Sequence, residues 1–142
     1  MRLEIAEWVA KAEADIATAR RELLVRKQAN FDAVCFHAQQ CVEKYLKAKL
    51  VDAGITFHKT HDLVALLALL LPKEPLWQPW KPSLAKLTHY AVTVRYPGES
   101  AGKRDAAEAV KLAESICIEV RLSLGLEPHH MQRSRRYGRR KV

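Results

Sequence analysis

The fold turns on one stretch: Asn30-Phe31-Asp32-Ala33-Val34-Cys35-Phe36-His37-Ala38-Gln39-Gln40-Cys41-Val42-Glu43-Lys44-Tyr45-Leu46-Lys47-Ala48. Asn30 is a good N-cap, because its side chain can accept from an amide one turn on. Asp32 follows in the first turn, where the helix dipole favours an anion. Phe31, Val34, Cys35, Ala38, Val42, Tyr45, Leu46, Lys49 and Leu50 then fall along one stripe at three/four spacing. Gly54 suits the position just past the helix end. A long amphipathic helix is therefore expected between Asn30 and Gly54.

The flanks repeat the pattern. Residues 3–27 carry Ile5, Trp8, Val9, Ala12, Ile16, Ala19 and Leu23 on one face, with Glu4, Glu7, Lys11, Asp15, Arg21 and Glu22 on the others and no Gly or Pro. Downstream, Thr60 can cap a third helix over Leu63 to Leu71, apolar nearly all round and so expected to be buried on several sides. Pro72 stops it. Residues 72–82 hold four prolines with Trp77 and Trp80 and read as a loop packed onto the body. Ser83 can cap a fourth helix to about Val94. Turn residues fill 95–102. A fifth helix runs from about Asp105 to Leu124, with Gly125 ending it and Pro128 preventing a restart. Nothing alternates with period two for long enough to make a strand. The expectation is an all-α bundle whose two longest early helices are antiparallel.

Composition agrees with one folded domain. The chain has 142 residues, 49% apolar and 28% charged. The longest apolar run, Leu63 to Leu71, is nine residues, too short for a bilayer, which needs about 20. The first residues mix charge into the apolar pattern and lack a secretory core. Cys35, Cys41 and Cys117 are odd in number, have no C-x-x-C spacing and fall within helical patterns. They read as reduced thiols, so a cytoplasmic location is expected. The net charge of +8 is uneven: Arg133, Arg135, Arg136, Arg139, Arg140 and Lys141 lie within the last ten residues, and the rest carries only +2. Residues 1–126 are taken as the bundle and 127–142 as a basic tail, expected to be disordered alone.

Candidate chemistry is sparse. His58 and His61 straddle a predicted cap, and His37 with Cys41 makes only two ligands where zinc wants three or four. No metal site is assigned. No Gly-rich phosphate loop and no Ser-His-Asp or Cys-His pair is identifiable. Three polar groupings remain. His37, Gln40, Lys44 and Lys47 share a stripe of the second helix, which reads either as a site or as a solvated face with Glu43–Lys47 as an ordinary i,i+4 pair. Arg95-Tyr96 beside Pro97-Gly98 can stack a base or fork onto a phosphate, or Arg95 can cap carbonyls. The tail arginines can grip phosphates weakly and salt-dependently.

The run Asn30–Ala48 resembles the core helix of the HEPN domain family. So do Lys59-Thr60-His61-Asp62-Leu63 and Tyr90-Ala91-Val92-Thr93-Val94-Arg95-Tyr96-Pro97-Gly98, in the same order and spacing, over roughly residues 3–124. The resemblance implies an up-and-down bundle of four or five helices, usually a homodimer. It implies pairing with a small nucleotidyltransferase encoded alongside, in modules like toxin–antitoxin systems. Some members are proposed to bind nucleotides, and others are metal-independent ribonucleases carrying an Arg, four to six residues, then a His. No Arg here meets that spacing: after Arg121, His129 lies one position too far, and Gly125 and Pro128 break the helix between them. No catalytic residue is assigned, and enzymatic activity is not the leading expectation. That expectation is a domain binding a nucleotide such as ATP, a nucleotidyltransferase, or both, with the ligand near Lys44, Lys47, His61, Arg95 and Tyr96. Arg133, Arg135, Arg136, Arg139 and Arg140 are the expected weak, non-specific RNA or DNA contacts. The alternatives are a divergent ribonuclease toxin using other residues, and a dimerisation module with the third helix, Trp77 and Trp80 at its interface.

Overall fold

The computed structural model describes residues 1–93 and 96–128. Its elements are α1 (Leu3–Leu23), α2 (Phe31–Asp52), α3 (Leu63–Leu70), a 3-10 helix (Pro75–Trp80), α4 (Lys81–Thr93) and α5 (Lys103–Ser123), with no strand among the described residues. The all-α expectation holds.

The capping chemistry starts α2 where expected, with Asn30 Oδ1 accepting from the Ala33 amide at 3.0 Å. Gly54 follows its end in the left-handed region, φ +71°, which glycine adopts without a Cβ clash. α1 stops at Leu23, the last member of its apolar stripe and four residues short of the end of the 3–27 stretch. The chain must reverse into an antiparallel α2, and Glu22 fixes that reversal by accepting the Asn30 amide at 2.8 Å. α3 is capped by Asp62, whose Oδ1 accepts from Val64 and Ala65, and not by Thr60, which instead accepts the Asp62 amide. It buries Leu63, Leu66, Leu67 and Leu70 but leaves Ala65, Ala68 and Leu69 exposed, so it lies against one side of the bundle and is not enclosed.

The proline-rich segment is a 3-10 helix. Pro75 stands at its start, where the missing N–H costs nothing. Trp77 is buried and stacks on Trp80 at 4.6 Å between centroids. α4 continues from it at Lys81, two residues before the expected Ser83 cap. α5 begins at Lys103, two residues before the expected start, because Asp105 reaches back to the Gly102 amide at 3.0 Å.

The directions follow from bonds between elements. Arg20 meets Glu114 at 2.9 Å, so the end of α1 faces the middle of α5. Lys49 donates to the Ser123 carbonyl and Asp32 accepts from Ala101, so α2 and α5 run parallel. Tyr90 and Lys86 of α4 both bond Glu108 near the start of α5, and only the short connection from Thr93 to Lys103 separates the two, so α4 lies antiparallel to α5. α1 and α4 run one way, α2, α3 and α5 the other. α2 is the centre and packs on α1, α3, α4 and α5. Alanines at 12, 19, 38, 48, 106, 109 and 113 are almost fully buried and let the three long helices approach closely.

Candidate functional site

The polar stripe of α2 is not a solvated face. Asp15 of α1, 8% exposed, accepts from His37 Nδ1 at 2.7 Å and from Lys44 Nζ at 2.5 Å. One turn and a half further on, Glu43 of α2, 3% exposed, accepts from Lys47 Nζ at 3.0 Å and from His61 Nδ1 at 2.8 Å. The Glu43–Lys47 i,i+4 pair expected from the sequence is therefore present but buried. The glutamines extend the second cluster: Gln40 donates to Gln39, and Gln39 donates to both Glu43 and the His61 carbonyl. Lys47 Nζ also lies 5.6 Å from the Trp8 ring centre and 6.0 Å from that of Phe57, within cation–π range.

Each cluster has the same composition: a buried carboxylate, a lysine and a histidine held through Nδ1. A carboxylate only accepts, so each Nδ1 carries its proton, and Nε2 is the nitrogen left for a ligand. The two differ in access. The His61 side chain is 64% exposed and that of His37 30%.

A third network is closed. Arg121, 5% exposed, donates to the Tyr45 hydroxyl at 2.9 Å and to the Glu127 carbonyl, and lies 3.7 Å from Glu13; Tyr45 in turn donates to Glu13. Burial, and then the Glu13 bond, push the Tyr45 hydroxyl well above its usual range. Arg121 is thus a packing residue. The thiols are equally committed to the core. Burial pushes Cys35 up to about 12, with the Asp105 and Asp32 charges adding to it. Burial and then the Cys117 thiol, 3.3 Å away, raise Cys41. No three His, Cys, Asp or Glu side chains cluster as metal ligands among the described residues.

The expected ligand residues separate into groups. Lys47 and His61 meet on Glu43, and Lys44, one turn from Lys47, is held by Asp15. Tyr96 is 64% exposed on the α4–α5 turn. That turn is tied to the first turn of α2 through Asp32, 15 residues or about 22 Å of helix from Lys47. Arg95, His129 and the tail arginines, Arg133, Arg135, Arg136, Arg139 and Arg140, lie outside the described residues. Trp77 belongs to the core and not to a surface that could face a second subunit. Sequence reasoning missed Asp15, which it set on the polar faces of α1. The signal was its spacing: three residues after Ala12 and four before Ala19, both buried, so it shares their stripe. Trp8 and Phe57 as partners of Lys47 had no signal in the sequence.

Among the described residues, no helix is long and apolar enough to cross a membrane. Three likenesses to known proteins agree with this architecture. The chain is 28% identical over 126 residues to a Methanocaldococcus jannaschii protein named "Putative toxin MJ1304", covering 77% of this chain and 80% of that one. It superposes on the crystal structure of TT1696 from Thermus thermophilus with a TM-score of 0.72 and 25% identity, over 84% of this chain and 97% of the other. Residues 5–122 match the HEPN domain model. With that match spanning most of the five-helix body, the chain belongs to the HEPN domain family.

Proposed function

We propose that this chain is the HEPN half of a toxin-like pair and acts by binding: a small nucleotidyltransferase as protein partner, a nucleotide as ligand, and a second copy of itself as homodimer. The relative named as a toxin supports the first part. The observation that carries the ligand part is the convergence of Lys47 and His61 on Glu43 beside Trp8 and Phe57. His61 offers a ring nitrogen to solvent, Lys47 places a cation behind it, and the aromatic rings supply an apolar flank for a base. Lys44 and Lys47 are already neutralised by Asp15 and Glu43, so a phosphate there meets a weaker field than two bare lysines would give, and binding is modest.

Calorimetric titration of ATP into the full chain, and into a chain ending at Pro128, tests this. Saturable heat in both, lost in His61→Ala and Lys47→Met, is the expected result. The same titration with Lys44→Ala and Arg95→Ala shows whether the ligand spans to the other residues named from the sequence. No heat in the shorter chain removes the nucleotide and leaves protein partnership.

One observation favours a second reading. Two imidazoles each oriented through Nδ1 by a buried carboxylate have the form of acid/base groups. On that reading the chain is a ribonuclease using residues other than the family pair. RNA cleavage in the presence of a chelator, abolished by His37→Ala or His61→Ala, would replace the binding reading.

A further inference from the structure

The end of the bundle away from the α2 carboxyl terminus holds an open groove of about 710 Å³, between the α1–α2 connection and the first turns of α5. Its floor includes Phe31 and Ala107, and its lip is Leu24 and Val25, which are 58% and 41% exposed. Arg26 and Lys103 stand on it from the two sides, and no carboxylate lines it. Lys27 and Arg104 adjoin them in the chain and are exposed. None of these four cations has an ion pair or hydrogen bond among the described residues. Three acids of this end are held by backbone amides: Glu22 by that of Asn30, Asp32 by that of Ala101 and Asp105 by that of Gly102.

What sets this surface apart is the combination: two exposed aliphatic side chains, a groove, and Arg26 and Lys103 on it with no carboxylate in its lining. An apolar trough rimmed by unmatched cations is complementary to a helix with aliphatic residues on one face and acidic residues beside them. We propose that the groove docks an acidic amphipathic segment of a partner protein, Leu24 and Val25 taking its aliphatic side chains and Arg26 and Lys103 its carboxylates. This extends the partner half of the binding reading and is independent of the nucleotide half. A bare phosphate or nucleic acid would use the cations and leave Leu24 and Val25 without a role.

The test uses the full chain and two synthetic helical peptides, alike in their leucine stripe and differing in whether the flanking positions are Glu or Gln, followed by fluorescence anisotropy. The Glu peptide is expected to bind saturably and at least tenfold more tightly than the Gln peptide. Arg26→Glu with Lys103→Glu should erase that difference. Leu24→Ser with Val25→Ser should weaken the Glu peptide at least tenfold. Both pairs are exposed, and circular-dichroism melts should stay within a few degrees of the parent. Absence of saturable binding of the Glu peptide, or binding unaltered by either double substitution, overturns the proposal. An oligouridylate that binds, is lost in the charge-reversed chain and is indifferent to the serine pair would also overturn it, marking a nucleic-acid contact instead. ATP titration with His61→Ala is read at the other cluster, so the two readings fail separately.

Discussion

Glu43 sits 3% exposed and holds Lys47, His61 and Gln39 at once. Replacing it with Gln leaves the Lys47 ammonium buried and unpaired, the situation that makes breaking a buried pair cost about 3–5 kcal/mol. Urea unfolding of Glu43→Gln should show a loss of that order. Glu43→Leu combined with Lys47→Met should recover most of it, since an apolar pair of similar volume needs no partner. The cysteines make a second prediction. Cys35 is pushed up to about 12. Its folded-state value is above the unfolded one, so its contribution is whole below about pH 8.5 and is lost as pH rises towards 12. Thiol-reagent labelling at pH 8 should leave Cys35 and Cys41 unmodified in the native chain and modify them in urea.

At the scale of elements, the caps decide the boundaries. Asn30→Ala and Asp62→Ala should each cost about 1 kcal/mol, and Thr60→Ala less, because Thr60 bonds only the Asp62 amide. Equal losses at Thr60 and Asp62, measured by thermal unfolding, would mean that α3 starts earlier. Where one good cap preceded an apolar stripe, as at Asn30, the helix start was legible in the sequence. Where two stood close together, as at Thr60 and Asp62, local chemistry could not rank them; the aspartate wins because one oxygen serves two amides. The end of α1 was illegible for another reason. Leu24 and Val25 follow the stripe with no Gly or Pro to mark a stop, but α1 ends where it must turn back. The 3-10 helix was hidden because four prolines read as loop, although Pro75 fits a helix start.

On the scale of the whole molecule, the five helices and their order were legible because each carries its own period and punctuation. The clusters were legible only in halves. Lys44 and Lys47 stood out as polar residues at helical spacing and His61 through the family-like block around it, but their partners come from packing: Asp15 is 29 residues from Lys44, and His61 is 18 from Glu43. A sequence shows a cation; only the fold shows whether it is already neutralised. The central position of α2 has one more consequence. Its backbone from Ala38 to Leu50 is covered by four other helices, and 12 of those 13 side chains are buried, charged ones included. No local fraying can bring those amides to water without parting every interface at once. In deuterium oxide they should be the last to exchange, all with the same opening free energy, that of global unfolding, while α3, bonded along one side, exchanges earlier. A single slow amide in α2 would then serve as a gauge of the stability of the entire domain.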